Sequence, residues 1–214
     1  MYVPKADRTL GEDEWRAFVD SQRFGHMIAG GTGREYPVVA TTQFVLEGSA
    51  VIMHFAAPNP ILQALSERPH AVLSVAGDWA FVPSAWKAIG DEDPELGIPT
   101  TYYGAVQLRG TAHLAGSAEE TAAVLRRQLA VLQPAVPIAD PAEAHPSKLN
   151  GIRAVTLEIE DVVAKFKYGG NVDEEHRRAV IARLLSRGGP GDQQAARHAE
   201  RRLAAEGFAS GESG

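Results

Sequence analysis

The chain has no cysteine among its 214 residues, and that one absence removes several function classes. No disulfide framework, thiolate zinc site, iron–sulfur cluster or cysteine nucleophile is available. Long apolar runs are missing too. No stretch approaches the roughly 20 apolar residues of a membrane-spanning helix, and Lys5, Asp7 and Arg8 interrupt the place where a signal peptide would be apolar. The sequence therefore predicts a cytoplasmic protein with no membrane partner. A basic excess is lacking as well: the formal net charge is −6, whereas proteins held to nucleic acid through its phosphates are as a rule basic. The one basic cluster, between Arg177 and Arg202, alternates with acids and alanines as a solvated helix face does, so nucleic acid is a disfavoured partner. Aromatics are few, at 7%, but apolar residues reach 44%, enough to build one substantial core.

What is present reads as short strands separated by turns. A helix carrying Trp15, Phe18 and Val19 at helical spacing ends near Arg23. FGHMIAG is a strand, and the glycines at 30, 31 and 33 form a turn, since no Lys-Ser/Thr follows to make a phosphate loop. YPVVATTQFVLEG turns at Glu47–Gly48 into SAVIMHFA, an antiparallel pair. A short helix starts near Asn59 and closes before Pro69. HAVLSVAG and WAFVPSAW are read as two strands, KAIGDEDPELGIPTT as an acidic loop, and YYGAVQLRGTAHLAG as a strand. A helix over about 117–132, a proline- and alanine-rich linker over 133–146, a final strand pair in GIRAVTLEIEDVVAKFKYGG and a helix from Glu174 to about Ser186 follow. GGPG then leads into a polar tail, helical or disordered. Six or seven strands with helices outside them predict a mainly β fold with flanking helices (α+β), an antiparallel barrel. A doubly wound parallel sheet would alternate strand and helix throughout.

Few residues stand out chemically. His145, His176 and His198 are read as surface residues, and His26, His70 and His113 as strand histidines. His54 lies where a strand runs into a proline-bounded turn, so it is either a packed imidazole or a proximal haem ligand. Ser84 has no flanking glycine and makes no nucleophile elbow. Asp91, Glu92 and Asp93 are either a solvated loop or a site for a cationic amine or divalent metal. Lys165 and Lys167 alternate along one strand and share a face, to be solvated or to anchor a phosphate or carboxylate.

Several segments taken together carry a family resemblance. MYVP, VATTQFVL, MHFAAPNPILQAL, VLSVAGDWAFVPSAW, IPTTYYGAVQLRG and LNGIRAVTLEIEDVVAKFKYGGN stand in an order and spacing that resemble the PaiB-like family of flavin-binding split barrels, over roughly residues 1 to 186. The resemblance implies a split β-barrel of the FMN-binding/pyridoxamine-phosphate-oxidase-like type. It implies a cofactor-binding domain over 1–187, with 188–214 as the tail, and a homodimer with two equivalent cofactor sites at its interface. His54, Asn59, Ser84, Lys165 and Lys167 are then expected to face the cofactor. The chain departs from the flavin pattern where the family has VPTWNY: the Trp-Asn of that motif is Thr101–Tyr102, an acidic loop precedes it, and the usual Lys-Leu-Ser-Gln-Asn is KYGGN. The run WKAIGDEDPELGIPTTYY resembles the piperazate synthases, a branch that binds haem b in place of flavin and closes side-chain N-hydroxy-L-ornithine into L-piperazic acid. That resemblance implies His54 as axial ligand, Arg109, Lys165 and Lys167 as partners of the propionates, and Asp91 to Asp93 as the site of the α-ammonium group. Lys87 would pair with the substrate carboxylate, and Tyr102, Tyr103 or a water would accept the proton from the α-amine. The alternative is an FMN-binding PaiB-like regulator or flavin-binding protein without catalytic activity.

Overall fold

The computed structural model describes residues 1–136 and 139–211. Six strands form a closed antiparallel barrel in the order β1-β2-β3-β6-β5-β4. They are β1 (Phe24–Ala29), β2 (Val38–Glu47), β3 (Ala50–Ala56), β4 (His70–Val82), β5 (Thr100–Leu114) and β6 (Ile152–Lys167). The helices are α1 (Glu12–Gln22), α2 (Pro60–Glu67), α3 (Ala118–Leu132), the single turns α4 (Pro141–Ala144) and α5 (Pro146–Leu149), α6 (Glu174–Arg187) and α7 (Asp192–Gly211). None of the described helices is long and apolar enough to cross a membrane. The mainly β split-barrel architecture expected from the sequence is the one observed.

Contacts divide the chain into two compact units, and β4, β5 and β6 contribute residues to both. One unit comprises Arg16–Val75 and Val106–Val163. Here β1 pairs with β2 (Met27 opposite Ala40) and with β4 (Met27 opposite Leu73), β2 with β3 (Val45 opposite Ile52), and β3 with β6 (Met53 opposite Val155). Alternating side chains of these strands, among them Met27, Phe44, Met53, Leu73, Leu108 and Leu157, are buried. α3 closes the outside of β2 and β3, where Val124 joins Val45, Ile52 and Ala154 in one cluster.

The other unit comprises Met1–Trp15, Ala76–Ala105 and Ala164–Gly214. Its core joins Val82, Tyr102 and Phe166 of the strands and Tyr168 just after β6 to Val180, Ile181 and Leu184 of α6 and Ala195, Ala196 and Ala199 of α7. Small side chains let α7 approach closely, so a segment poor in large apolar residues is nevertheless packed.

Three local expectations are corrected. HAVLSVAG and WAFV are one strand, because Asp78 takes a left-handed conformation (φ +50°) that bends the strand without ending it. The last "strand pair" is the single 16-residue β6, which contains no turn residue to reverse it. His198 is buried at 7% exposure, because it lies on the face of α7 that carries the buried alanines. The 133–146 linker holds α4 and begins α5, and its residues 137–138 lie outside the described residues.

Candidate functional site

The unit that contains the end of β4 and the start of β5 gathers most of the residues singled out in the sequence. Pro83 follows β4, and Ser84–Lys87 form a 3-10 turn, with Ser84 half-buried. Gly97 passes so close to the Ser84 carbonyl that a Cβ there would collide with it, so glycine is required for the acidic loop to fold back. Arg183 of α6 holds the turn from outside, donating to the carbonyls of Trp86 (2.5 Å) and Ala88 (3.1 Å). The ammonium of Lys87 is thereby set 5.9 Å from the ring centroid of Tyr102. Burial, and secondarily the charge of Lys167, push the Lys87 amine below its ordinary value. Neither Lys87 nor Lys167 has an acidic partner among the described residues.

Tyr102 is 1% exposed, and its buried hydroxyl has no hydrogen-bond partner among the described residues. Burial, only partly opposed by Arg177, pushes the phenol up to about 12, so near neutrality it is a donor. Gly169 (φ +81°) closes over this hydroxyl, and a Cβ there would run into it. Buried polar groups are almost always satisfied, and this hydroxyl is one of the exceptions among the described residues. Tyr102→Phe is expected to leave thermal stability unchanged or raise it by about 1 kcal/mol, since an unmade bond is removed. A fall in melting temperature would show that the hydroxyl is satisfied after all.

Lys165 sits on the same side of β6 as Lys167 and is 5.6 Å from the Tyr103 ring centroid. It is also engaged by the N-terminal segment, 3.7 Å from Asp7 and bonded to the Tyr2 carbonyl. Lys167 is the ammonium left without such a partner. In the acidic loop, Asp93 caps its own 3-10 turn through Glu95 N–H, and Glu92 accepts from Ile89 N–H and lies 2.8 Å from His176 Nε2. Only Asp91 of the three is without a hydrogen bond or ion pair among the described residues.

His176 joins the loop to α6. Its other ring nitrogen bonds Asp173 at 2.9 Å. Asp173 and then Glu92 raise the imidazole above its ordinary 6.5, and the two carboxylates are lowered by it. A histidine raised on folding contributes stability below its unfolded value and loses it as pH rises through the folded one; the carboxylates do the reverse on the acid side. The latch is therefore strongest between the carboxylate and imidazole ranges. Proteolysis within 88–99 is expected to accelerate as pH is raised past 6.5, and His176→Asn to remove that dependence. A cleavage rate flat in pH would refute the latch.

The second unit holds the other three predicted residues, each engaged differently. Asn59 accepts from Ile61 N–H and caps α2. Arg109 pairs with Asp161 at 3.2 Å and with Gln107, largely in solvent. His54 is half-buried at the end of β3, its Nδ1 2.8 Å from Oε1 of Gln128 on α3. Gln128 is buried, and its Nε2 donates to the Ile52 carbonyl at 3.2 Å. That bond orients the amide so that Oε1 accepts, hence His54 carries its proton on Nδ1. Nε2 is left with a free lone pair and no partner among the described residues.

Over residues 1–161 the chain matches the family model "Putative FMN-binding domain". The chain belongs to this FMN-binding domain family. A curated relative, "Protease synthase and sporulation protein PAI 2" of Bacillus subtilis (strain 168), is 24% identical over 213 residues, covering 95% of this chain and 98% of the relative. This FMN-binding-domain chain is also similar in fold to two solved structures. One is the flavocytochrome Anf3 from Azotobacter vinelandii (TM-score 0.58, 21% identity, 80% of this chain and 74% of that one). The other is the FAD and heme binding protein from Mycobacterium smegmatis (TM-score 0.59, 18% identity, 80% and 78%). At these identities the likeness establishes the fold.

Among the described residues of this FMN-binding-domain protein, no three His, Asp or Glu side chains gather to hold a metal ion. Sequence reasoning missed Gln128, Asp78, Tyr168 and His198. KYGGN stood out only as a departure from the family pattern, and nothing local shows a glutamine on one helix meeting a histidine on a strand 74 residues away.

Proposed function

We propose that the protein is a haem-dependent cyclase that converts side-chain N-hydroxy-L-ornithine into L-piperazic acid. The family and its flavin- and haem-binding fold neighbours support haem or FMN as the cofactor. The observation that favours haem is the His54–Gln128 pair. Histidines that ligate a metal characteristically donate their second N–H to a neighbour that sets tautomer and ring orientation, and Gln128 does this for His54. A cysteine-free chain leaves an imidazole as its natural axial ligand. The donor chemistry at His54 thus fits the iron of a porphyrin.

When bound, haem iron supplies a Lewis acid for the hydroxylamine oxygen. The chain's own residues bind and fold the substrate. Lys87, half-buried and without an acidic partner, takes the α-carboxylate, and Asp91 takes the α-ammonium before it gives up its proton. Tyr102 remains protonated, and its buried ring is the wall beside which the Lys87 ammonium stands. Tyr103, half-buried beside Lys165, is left with a water as the candidate proton acceptor. The reaction balances without oxidant or reductant. The α-amine lone pair forms the N–N bond as the N–O bond breaks, and the leaving hydroxide departs as water with a proton from the α-amine. Bringing both nitrogens of a flexible chain into contact is worth up to roughly 7–11 kcal/mol in favourable intramolecular cases.

The experiment is an absorption spectrum of protein purified from haem-replete cells, followed by turnover of N-hydroxy-L-ornithine with detection of piperazic acid. An intense Soret band together with cyclised product is expected. Paired flavin bands without a Soret would replace this reading with FMN binding, which the family description favours.

A further inference from the structure

The residues after 161 lie outside the family match, and α7 brings one of them into the packing behind Tyr102. His198 Nε2 is 2.8 Å from Asp78 Oδ2, and its ring stacks on Tyr168 with centroids 4.7 Å apart and planes at 14°. The Tyr168 hydroxyl donates to the Asp78 carbonyl at 3.1 Å. Tyr168 in turn meets Tyr102 edge to face, centroids 6.0 Å apart at 78°, within the range of favourable aromatic pairs. Phe166 also packs near the His198 ring, centroids 6.2 Å apart and planes at 30°. Asp78 reaches α7 because its left-handed backbone breaks the in-and-out alternation of β4. Aspartate is among the few residues that adopt this conformation readily.

We propose that Asp78 and His198 are a positioning couple that docks α7 so that His198 backs Tyr168 and Tyr168 sets the ring of Tyr102. The need for such a device follows from the hydroxyl of Tyr102. It makes no hydrogen bond among the described residues, so beyond the Lys87 ammonium over its face the orientation of the ring rests on the faces and edges packed against it. The functional part of the inference rests on the proposed function's reading of Lys87, held beside the Tyr102 ring, as the partner of the substrate carboxylate. On that reading α7 belongs to the working apparatus of the site without touching substrate itself.

The test is fluorine NMR on the full chain labelled with 3-fluorotyrosine. The five tyrosines give separate signals, and Tyr102→Phe assigns the one of interest. The Tyr102 signal is expected to move in His198→Ala and in Asp78→Ala, and to return in Asp78→Asn, which keeps both the left-handed backbone and an acceptor. Glu14→Gln, which weakens the Arg202 anchor of α7 away from the ring stack, is expected to move that signal much less than His198→Ala does. Should His198→Ala fail to fold, His198→Gln, which keeps a donor for Asp78 but lacks the ring, supplies the same reading. Turnover is expected to fall roughly 10- to 100-fold with a smaller change in KM, the size of effect that a misplaced group produces. A Tyr102 signal unmoved by loss of His198, or moved equally by Glu14→Gln, overturns the couple, as does unchanged turnover in an active enzyme. If the parent protein proves inactive, the proposed reaction fails, while the fluorine spectra still decide the couple.

Discussion

His54→Ala is expected to lose the Soret band and N-hydroxyornithine turnover together, with the fold intact. Gln128→Leu is expected to keep the band but weaken haem retention about 10- to 100-fold, the usual effect of removing a partner that orients a ligand. The two changes separate ligation from orientation. His54 supplies the lone pair, and Gln128 decides on which nitrogen that lone pair resides. Each substitution also leaves a polar group of the other residue unpaired, at a cost of about 1–3 kcal/mol. Stability must therefore be measured alongside, and haem titrated well below the melting temperature. A His54→Ala protein with an unchanged haem spectrum would end the ligand assignment, whatever its activity.

The largest effect on stability is expected at the Glu14–Arg202 pair. The two side chains are 5% and 4% exposed, and Arg202 Nη1 lies 3.1 and 3.2 Å from the two carboxylate oxygens. The other end of the guanidinium donates to the Ala6 and Arg8 carbonyls, and Glu14 also accepts from the Leu10 N–H. The pair thus ties α1, the N-terminal segment and α7 through one buried network. Removing one partner leaves an uncompensated buried charge, which costs about 3–5 kcal/mol. For a chain of this length that corresponds to a drop of roughly 6–20 °C in melting temperature, and Arg202→Met measured by calorimetry checks it. Replacing both residues by apolar ones is expected to recover only part of the loss, because the carbonyls of Ala6 and Arg8 stay unsatisfied. A change under 1 kcal/mol in the single variant would mean that water reaches the pair.

The barrel strands were legible because their pattern is local. Alternation of buried and exposed residues in VVATTQFVLE and the Gly48 turn into AVIMHFA need only the period of a strand and a residue that tolerates positive φ. The Asn59 cap with Pro60 at the first helical position is likewise written in adjacent residues. The acidic loop and its two prolines were also plain, and so was the common face of Lys165 and Lys167. Where reading failed, the cause was a competing local signal. Gly77–Asp78 reads as a chain break, yet aspartate absorbs the left-handed conformation inside one continuous strand.

By itself, then, the sequence determined the fold class and the absence of thiolate chemistry, because composition and short-range periodicity carry that information. Tertiary structure alone decided which candidates are available for chemistry. It tied Glu92 to His176, set Asn59 to capping and Arg109 against Asp161, and, among the described residues, left Lys87 and Lys167 without an acidic partner and the Tyr102 hydroxyl without a hydrogen bond. It also turned a polar, alanine-rich segment into a packed helix whose histidine backs an aromatic stack. The physical reason is the same in each case. Hydrogen bonds, charge pairs and ring contacts form between residues tens to nearly two hundred positions apart, and no local pattern encodes which of them will meet.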